Sequence, residues 1–377
     1  MALNSTGPIS LGGATTGQSI NLELGLSATA TISLNDTTVR SLLGVSSGAI
    51  SLNSAYSKSH GVPITVTARF NSVATTGTIW VAVGEAGMIY RSTDKGASWF
   101  RQSDGGWGVE LKNVVYGAGG NFIAVGDNGF VLYSPDGITW TKNTNVLATP
   151  ATVYSADVTG GVTVISGSSG GPSGSPVFKV LTSSASGAWA PASNTYGLST
   201  GLVGQVYGYS AYHTATKQGQ MYQRNQNPTD TGTIATGWSI QGRDITATLY
   251  PFNSIAASSN YVYGVGEHPG SVRGAPINGN VYPFNYPGSS VILRKIRCLN
   301  KYSNPQFVTV GDSGSLMYWA DSIAPTITRN SISSQNLYDI DGSSTWGYVT
   351  VGAGGTLLFN TSSYTSTWSA GATYTNT

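Results

Sequence analysis

One segment of this chain occurs twice in closely similar form. Residues 80–92 alternate apolar and small residues up to a Gly-x-x-Gly turn and then alternate again, which predicts two antiparallel strands joined by a tight hairpin. Residues 92–99 follow as a Ser-x-Asp-x-Gly-x-Ser-Trp segment. The same order returns in residues 122–133, and residues 134–140 then repeat the second segment with one residue deleted. A unit that recurs at a fixed period indicates a repeat architecture, and the period decides which one.

The glycine that ends each presumed second strand gives the period. These glycines are Gly84, Gly126, Gly167, Gly208, Gly266, Gly311 and Gly352, separated by 42, 41, 41, 58, 45 and 41 residues. Four-stranded propeller blades take about 40–45 residues, and the longer intervals predict inserted loops. The sequence therefore predicts an all-β fold, a seven-bladed β-propeller over residues 61–377. Six or eight blades remain alternatives, because the fourth and fifth units are degenerate.

Several units close with a tryptophan. Trp99, Trp140, Trp189, Trp238 and Trp368 are in this position, and we expect them to pack between neighbouring blades. We also expect residues 62–67 to complete the last blade by pairing with the C-terminal strand near Trp368.

The composition excludes several functional classes. Of 377 residues only 9% are charged, the net charge is +2, and glycine numbers 50. This suits short strands and turns, and it argues against a charge-driven nucleic-acid binder, which needs a basic surface. Cys298 is the only cysteine, so no intramolecular disulfide can form. No apolar run approaches the roughly 18 residues of a membrane span, and the N-terminus does not read as a signal peptide, so we expect a soluble chain assembled in a cytoplasm.

Residues 1–60 differ from the rest, because small polar residues surround a repeated Ile-Ser-Leu pattern. The large apolar residues are Ile9, Leu11, Ile20, Leu22, Ile32, Leu34, Leu42, Leu43, Ile50, Leu52 and Tyr56. A segment this short cannot bury much apolar area by itself. We therefore predict an extended N-terminal docking arm whose apolar residues insert into another chain; a flexible leader is the alternative.

This segment, from Gly7 to Tyr56, resembles the leader of structural proteins of tailed bacteriophages. The resemblance implies that residues 1–60 dock onto other virion proteins, that the chain is located in the virion, and that residues 61–377 are displayed outward. Virion symmetry implies a homo-oligomer of three-fold or six-fold order. It does not indicate whether the chain belongs to the tail, baseplate, neck, fibre or capsid.

The Ser-x-Asp-x-Gly-x-Ser/Thr-Trp segments resemble the Asp-box, or BNR repeat, of sialidase-like propellers. The residues that carry this resemblance are Ser92, Asp94, Gly96 and Trp99 in the first segment and Ser134, Asp136 and Trp140 in the second. The resemblance implies a structural role, in which the carboxylate fixes the turn and the tryptophan packs beneath it.

No catalytic, metal or cofactor site is predicted. The chain lacks the Arg-Ile-Pro segment of sialidases and has only four glutamates, at positions 23, 85, 110 and 267. His60, His213 and His268 are scattered. Asp127 and the pair Asp339 and Asp341 are interpreted as turn residues, and residues 294–297, the only basic cluster, as a solvated face in preference to a channel wall or an interface.

Flat rings beside amide side chains suggest a weaker hypothesis of sugar binding. Tyr209, Tyr212, Tyr222, Tyr282 and Tyr286 are the candidate glycan or receptor contacts, although alternating tyrosines are more often blade packing.

The sequence thus favours a non-enzymatic virion component that displays a propeller for host-surface or glycan attachment. The alternatives are a capsid or tail decoration protein without a receptor role, a sialidase-like glycan hydrolase, and a cellular propeller scaffold similar to photosystem assembly factors.

Overall fold

The structure is a computed structural model, and the account below concerns the residues that it describes. These are residues 3, 9–15, 18–24, 26–43, 64–102, 105–143, 151–159, 162–169, 175–181, 190–191, 202–208, 211–216, 221–225, 239–240, 251–267, 271–276, 282–285, 291–299, 305–322 and 326–374. Within strands, the side chains of residues 159, 162, 164, 169, 175–181, 190–191, 202–208, 211–216, 221–225, 239–240, 271, 275–276, 282–285 and 374 lie outside the description.

The described strands form antiparallel sheets whose order follows the chain. The first sheet contains β1 (Phe70–Thr75), β2 (Trp80–Gly84), β3 (Ile89–Ser92) and β4 (Ser98–Arg101). The second contains β5 (Leu111–Gly117), β6 (Asn121–Gly126), β7 (Val131–Ser134) and β8 (Thr141–Lys142). Two further sheets contain β9 (Ala151–Thr159), β10 (Val162–Ser169), β11 (Ser175–Leu181) and β12 (Ala190–Pro191), and then β13 (Leu202–Gly208), β14 (Ala211–Thr216), β15 (Met221–Asn225) and β16 (Ser239–Ile240).

Three more sheets complete the chain. They contain β17 (Phe252–Ala257), β18 (Tyr261–Gly266), β19 (Ser271–Pro276) and β20 (Tyr282–Asn285), then β21 (Leu293–Leu299), β22 (Gln306–Gly311), β23 (Ser315–Ala320) and β24 (Thr328–Ser331), and finally β25 (Leu337–Ser343), β26 (Gly347–Gly352), β27 (Leu357–Asn360) and β28 (Ser369–Ala370). The last strand, β29 (Ala372–Tyr374), returns to the first sheet. Each first strand lies against the first strand of the next sheet, and β25 lies against β1, so the first strands surround a central channel.

The predicted number of blades is corrected. We assign five blades, those that begin with β1, β5, β17, β21 and β25, because in each of these the first two strands carry several buried side chains. The sheets β9–β12 and β13–β16 are described mainly through backbone pairing. One of the seven marker glycines was also misplaced: Gly208 pairs with Ala211 and ends the first strand β13, not a second strand.

The propeller core lies between neighbouring sheets. Trp99 is fully buried in a cluster with Val349 and Val351 of β26, and Trp140 packs in a cluster with Val81 of β2. Both tryptophans therefore pack between blades as predicted, and Trp368 packs half-buried against the cluster between β22 and β25. Trp189 and Trp238 lie outside the described residues.

The ring closes at the first sheet. β29 runs parallel to β4, with Ala372 opposite Ser98. The amide of Ile64 donates to the carbonyl of Thr373 at 3.0 Å, and the Thr373 hydroxyl donates back to the Ile64 carbonyl. The segment before the propeller and the C-terminal strand do meet, but at the first blade and not at the last blade as predicted.

The N-terminal segment is not an extended arm. Its described residues include two helices, α1 (Ile20–Glu23) and α2 (Thr37–Leu43), and Ser19 caps α1 by accepting from the Leu22 amide. Ile20, Val39, Leu42 and Leu43 are buried together with Leu3, and Ile9, Leu11, Leu24, Ile32 and Leu34 pack against them. The apolar residues look isolated along the sequence, whereas two short helices bring them into contact with one another. Ile50, Leu52 and Tyr56 lie outside the described residues, and Leu22 is half-buried.

Candidate ligand-binding site at the channel mouth

The first strands share a local irregularity that directs polar side chains toward one opening of the channel. In β1, β5, β17, β21 and β25 the pairing register shifts at the second residue, which marks a β-bulge. A bulge re-aims the side chain of the extra residue. The bulged residues are Asn71, Lys112, Asn253, Arg294 and Tyr338, and all five line one cavity of about 240 Å3 together with Arg69, Glu110, Tyr154 and Lys295. We call this cavity the channel mouth.

The hairpins after the second strands are fixed to the same end of the first strands. The amide that follows the glycine donates to the carbonyl just before the first strand, for example Glu85 to Arg69 at 3.0 Å and Asp127 to Glu110 at 3.1 Å. The glycine itself has no space for a side chain, because a Cβ on Gly126 would lie 2.2 Å from the Glu110 carbonyl oxygen. The acidic residue of the hairpin is thereby brought against the base of the first strand.

Glu110 is the centre of a charge network at the mouth. One of its carboxylate oxygens accepts from Arg69 at 2.6 Å and from Asn71 at 2.9 Å, and the other is 2.7 Å from the ammonium nitrogen of Lys112. Burial alone would raise the pKa of Glu110, but Lys112, Asn71 and Arg69 together lower it below its ordinary value. Glu110 therefore stays ionised and is a poor proton donor near neutral pH.

A second group at the mouth is centred on Tyr338. The guanidinium carbons of Arg69 and Arg294 lie 5.2 and 5.8 Å from its ring centroid, within the range of cation–π contact. Arg294 donates to both carboxylate oxygens of Asp312, at 2.8 and 3.0 Å. Two cations therefore flank the Tyr338 ring: Arg294, which is held by Asp312, and Arg69, which is held by Glu110.

Deeper in the channel, polar side chains join the first strands of adjacent sheets. Asp339, fully buried in β25, accepts from Arg297 at 2.6 and 3.0 Å and from the Ser72 hydroxyl at 2.6 Å. Ser72 in turn accepts from Asn113, whose side-chain oxygen accepts from the Ala156 amide at 3.1 Å. These bonds connect β21, β25, β1, β5 and β9.

Two sequence interpretations are corrected here. Asp339 and Asp341 lie in strand β25 inside the channel and are not turn residues, whereas Asp127 does lie in a turn. Residues 294–297 form part of the channel wall and are not a solvated face, because β21 is an innermost strand. The periodic signal that could have located the mouth is the polar residue immediately after the first large apolar residue of each first strand, as in Phe70-Asn71 and Leu293-Arg294.

In the two Ser-x-Asp segments the aspartate carboxylate accepts hydrogen bonds from the residues that follow it. Asp94 accepts from the Ser98 amide at 2.9 Å and from the hydroxyls of Ser92 and Ser98, while the Trp99 indole donates to the Gly96 carbonyl at 2.8 Å. In the second turn the corresponding contacts are Ile138 amide to Asp136 at 2.9 Å and Trp140 indole to Gly137 at 3.2 Å. These residues do not line the mouth.

The tyrosines proposed as glycan contacts remain a prediction. Tyr212, Tyr222 and Tyr282 belong to β14, β15 and β20, but their side chains lie outside the described residues, as do Tyr209 and Tyr286 entirely. His60 and His268, and the side chain of His213, are likewise outside the description. Within the described part of the chain, no group of three His, Cys, Asp or Glu residues is placed to hold a metal ion, and no helix is long and apolar enough to cross a membrane.

The four-stranded sheets are arranged around a central channel with their first strands innermost, and this arrangement defines the fold class as a β-propeller. Solved structures agree: the chain is similar to YCF48 from Cyanidioschyzon merolae (TM-score 0.56, 15% identity, covering 79% of this chain and 97% of that one) and to the WD40 propeller domain of Doa1 (TM-score 0.56, 12% identity, covering 78% and 93%). A structure of YCF48 bound to D1 peptide is similar as well (TM-score 0.59, 14% identity, covering 81% and 97%). At these identities the likeness concerns the fold. No protein-family model and no curated protein sequence matches the chain.

Proposed function

We propose that this chain is a non-catalytic propeller of a bacteriophage virion that binds a host-surface glycan at the channel mouth. The observation that carries the glycan proposal is the convergence of amides, charged groups and a tyrosine ring on one opening, each held by a bulge or an ion pair. Sites of this kind, with a few fixed polar groups in a concavity, suit ligands rich in hydroxyls.

The charge state of the mouth favours binding over hydrolysis. A glycosidase requires a carboxylic acid that gives its proton to the leaving group, and such an acid has a raised pKa. At the mouth the pKa of Glu110 is lowered and its two oxygens are paired with Arg69 and Lys112. Asp341, whose pKa burial raises to about 6, lies deeper in the channel and does not line the mouth. A glycan hydrolase is therefore the less favoured alternative.

The virion assignment is supported by the resemblance of residues 7–56 to phage leaders, and the Asp-box assignment by the contacts of Asp94 and Asp136. In this proposal the Asp-boxes are structural and the folded N-terminal segment attaches the chain to other virion proteins. A decoration protein without a receptor role is the alternative.

A second candidate function is binding of a peptide segment at the same mouth. It is favoured by the alternating charges of Arg69, Glu110 and Lys112 and by the fold neighbour whose structure contains a bound peptide. A glycan array and a peptide array probed with the same protein separate the two candidates.

The test of the glycan proposal is binding of the full chain to an array of bacterial surface oligosaccharides. We expect Tyr338→Ala to lose at least about tenfold in affinity, since it removes the ring between Arg69 and Arg294. The matched control is Tyr116→Ala, an exposed tyrosine toward the opposite end of a first strand, which should bind as the wild type does. Absence of binding to every glycan, or equal losses in both variants, would overturn the proposal.

The virion proposal is tested by deleting residues 1–58. We expect the shortened chain to be absent from purified particles while its far-ultraviolet circular dichroism keeps the β-sheet signal. Incorporation at the wild-type level would contradict docking through this segment.

A further inference from the structure

A second cavity of about 200 Å3 lies below the mouth. It is lined by first-strand residues of β9, β17, β21 and β25, among them Asp157, Lys295, Arg297, Cys298 and Asp341. Lys295 lines both this cavity and the mouth, so its side chain marks the passage between them. We call this space the inner cavity. At about 30 Å3 per water molecule it has room for several waters or for a small carboxylic acid.

The charges of the inner cavity are unequally satisfied. Arg297 is paired with Asp339, whose oxygens also accept from Ser72 and from the Val73 amide. Asp341 accepts from the Thr75 amide at 3.1 Å. Arg297, Asp339 and Asp341 are therefore each bonded to another protein group.

Lys295 is different. Protein surrounds its side chain, yet part of its surface faces the open space of the cavity, and its ammonium group makes no hydrogen bond or ion pair with a described residue. An enclosed cation without a partner is costly, and a counter-anion in the cavity would remove that cost. Burial lowers the pKa of Lys295 to about 8, and the charges of Asp339, Asp157 and Asp341 oppose this shift.

We propose that the inner cavity binds a carboxylate through the ammonium group of Lys295. A carboxylate accepts charge-assisted hydrogen bonds from an ammonium group, and Ser155 and Ser254 also line the cavity. This carboxylate site deepens the proposed function and rests on it in one respect. If the mouth holds a glycan, the sugar nearest Lys295 is an acidic one, such as a uronic acid.

The neighbouring acids are compatible with an anion. Asp339 is neutralised by Arg297, and burial raises the pKa of Asp341 to about 6, so that this carboxyl carries less negative charge at mildly acidic pH. Asp157 also faces Lys295, so the two cations and three acids of the inner cavity carry one net negative charge when all are ionised and none when Asp341 is protonated. We therefore expect tighter carboxylate binding at pH 6 than at pH 8.5, where Lys295, with a pKa of about 8, has lost most of its positive charge.

The experiment uses the full chain with acetate as the probe for a free carboxylate. Cys298 lines the inner cavity and is the only cysteine, so its rate of reaction with an uncharged maleimide reports occupancy. We expect acetate to slow this reaction at pH 6, and Lys295→Met to weaken that protection by about tenfold or more. Lys295→Arg keeps the cation and should retain the protection. Lys142 lies in the fourth strand β8, and its ammonium group lies over the Phe130 ring. Lys142→Met is the matched control and should behave as the wild type does.

Two sugars separate this inference from the proposed function. Glucuronate should protect Cys298 at lower concentration than acetate, and glucose should not protect it. Protection by acetate but not by glucuronate supports the carboxylate site and contradicts a sugar as its source. No effect of acetate on wild type, or an equal effect on wild type and Lys295→Met, overturns the inference, whatever the glycan array shows.

Discussion

At the hairpins, single glycines allow the second strand to approach the first strand closely beside the mouth. Gly126 pairs with Leu111 next to the bulge at Lys112, and the same arrangement recurs at Gly84, Gly311 and Gly352. The close approach of the two backbones at this point is what lets the Asp127 amide reach the Glu110 carbonyl. The glycine is required by this contact and not by an unusual backbone dihedral angle.

We therefore predict that Gly126→Ala destabilises the protein by about 2–4 kcal/mol, because the new methyl group meets the backbone of a neighbouring strand. The control is Gly106→Ala, where a Cβ meets nothing within 4 Å and only the positive φ of 71° adds strain, at a cost of about 1 kcal/mol. Urea unfolding of both variants measures the difference. Equal losses would contradict the close-approach argument.

Asp341 predicts a pH dependence. Burial raises its folded-state pKa to about 6, above that of the unfolded chain, with Arg297 opposing the shift and Asp339 adding to it; Lys295 and Asp157 face the same cavity. A raised pKa contributes stability that is fully present below about pH 4 and is lost as the pH rises through 6. Asp341→Asn should therefore stabilise the protein by about 1–2 kcal/mol at pH 7.5 and by nearly nothing at pH 4. An Asn variant that is less stable at both pH values would show that the carboxylate is favourably bonded.

At the scale of elements, the first strands are joined by buried side chains as well as by packing. Asp339 of β25 bonds Arg297 of β21 and Ser72 of β1, so one carboxylate connects three strands. Removing one partner of a buried ion pair leaves the other charge uncompensated and costs about 3–5 kcal/mol.

Asp339→Asn should accordingly cost about 3–5 kcal/mol in free energy of unfolding. Asp312→Asn is the matched control, since it breaks the Arg294 pair at the more exposed mouth, where such pairs are worth about 1 kcal/mol or less. Guanidinium unfolding with both variants provides the comparison. If Asp312→Asn lowered the free energy of unfolding as much as Asp339→Asn, the buried Arg297–Asp339 pair would not stabilise the protein more than the exposed pair.

The elements also show what the sequence could predict. The hairpins and the two Asp turns are local, so Gly84, Asp94 and Trp99 indicated them directly. The roles of Asp339 and residues 294–297 depend on which strand lies innermost, which local pattern does not reveal. Gly208 was misplaced because a glycine at the end of a first strand looks the same in sequence as one that ends a second strand.

At the scale of the whole molecule, the ring is held closed by a three-residue strand. β29 pairs with β4, and Thr373 bonds Ile64, so both ends of the propeller meet at the first blade. Truncation after Gly371 should lower Tm by roughly 5 °C or more and expose the β4 edge. Truncation after Tyr374 keeps β29 and is the control. Differential scanning calorimetry that shows equal Tm values for both would contradict closure through β29.

In the N-terminal segment, apolar residues that are far apart in the sequence pack together in one cluster. Ile20 and Leu43 were predicted to insert into another chain, and instead they pack within the segment. The proposed docking through this segment therefore uses a folded surface and not a series of inserted side chains.

The most direct test of the central claim, that the channel mouth is the ligand site, is hydrogen–deuterium exchange of the full chain with and without the strongest oligosaccharide from the array. We predict slower exchange at the mouth ends of β1, β5, β21 and β25, around Asn71, Lys112, Arg294 and Tyr338, with no change around Tyr222 and Tyr282. Protection confined to the segments that contain Tyr222 and Tyr282, with unchanged exchange at the mouth, would contradict the account.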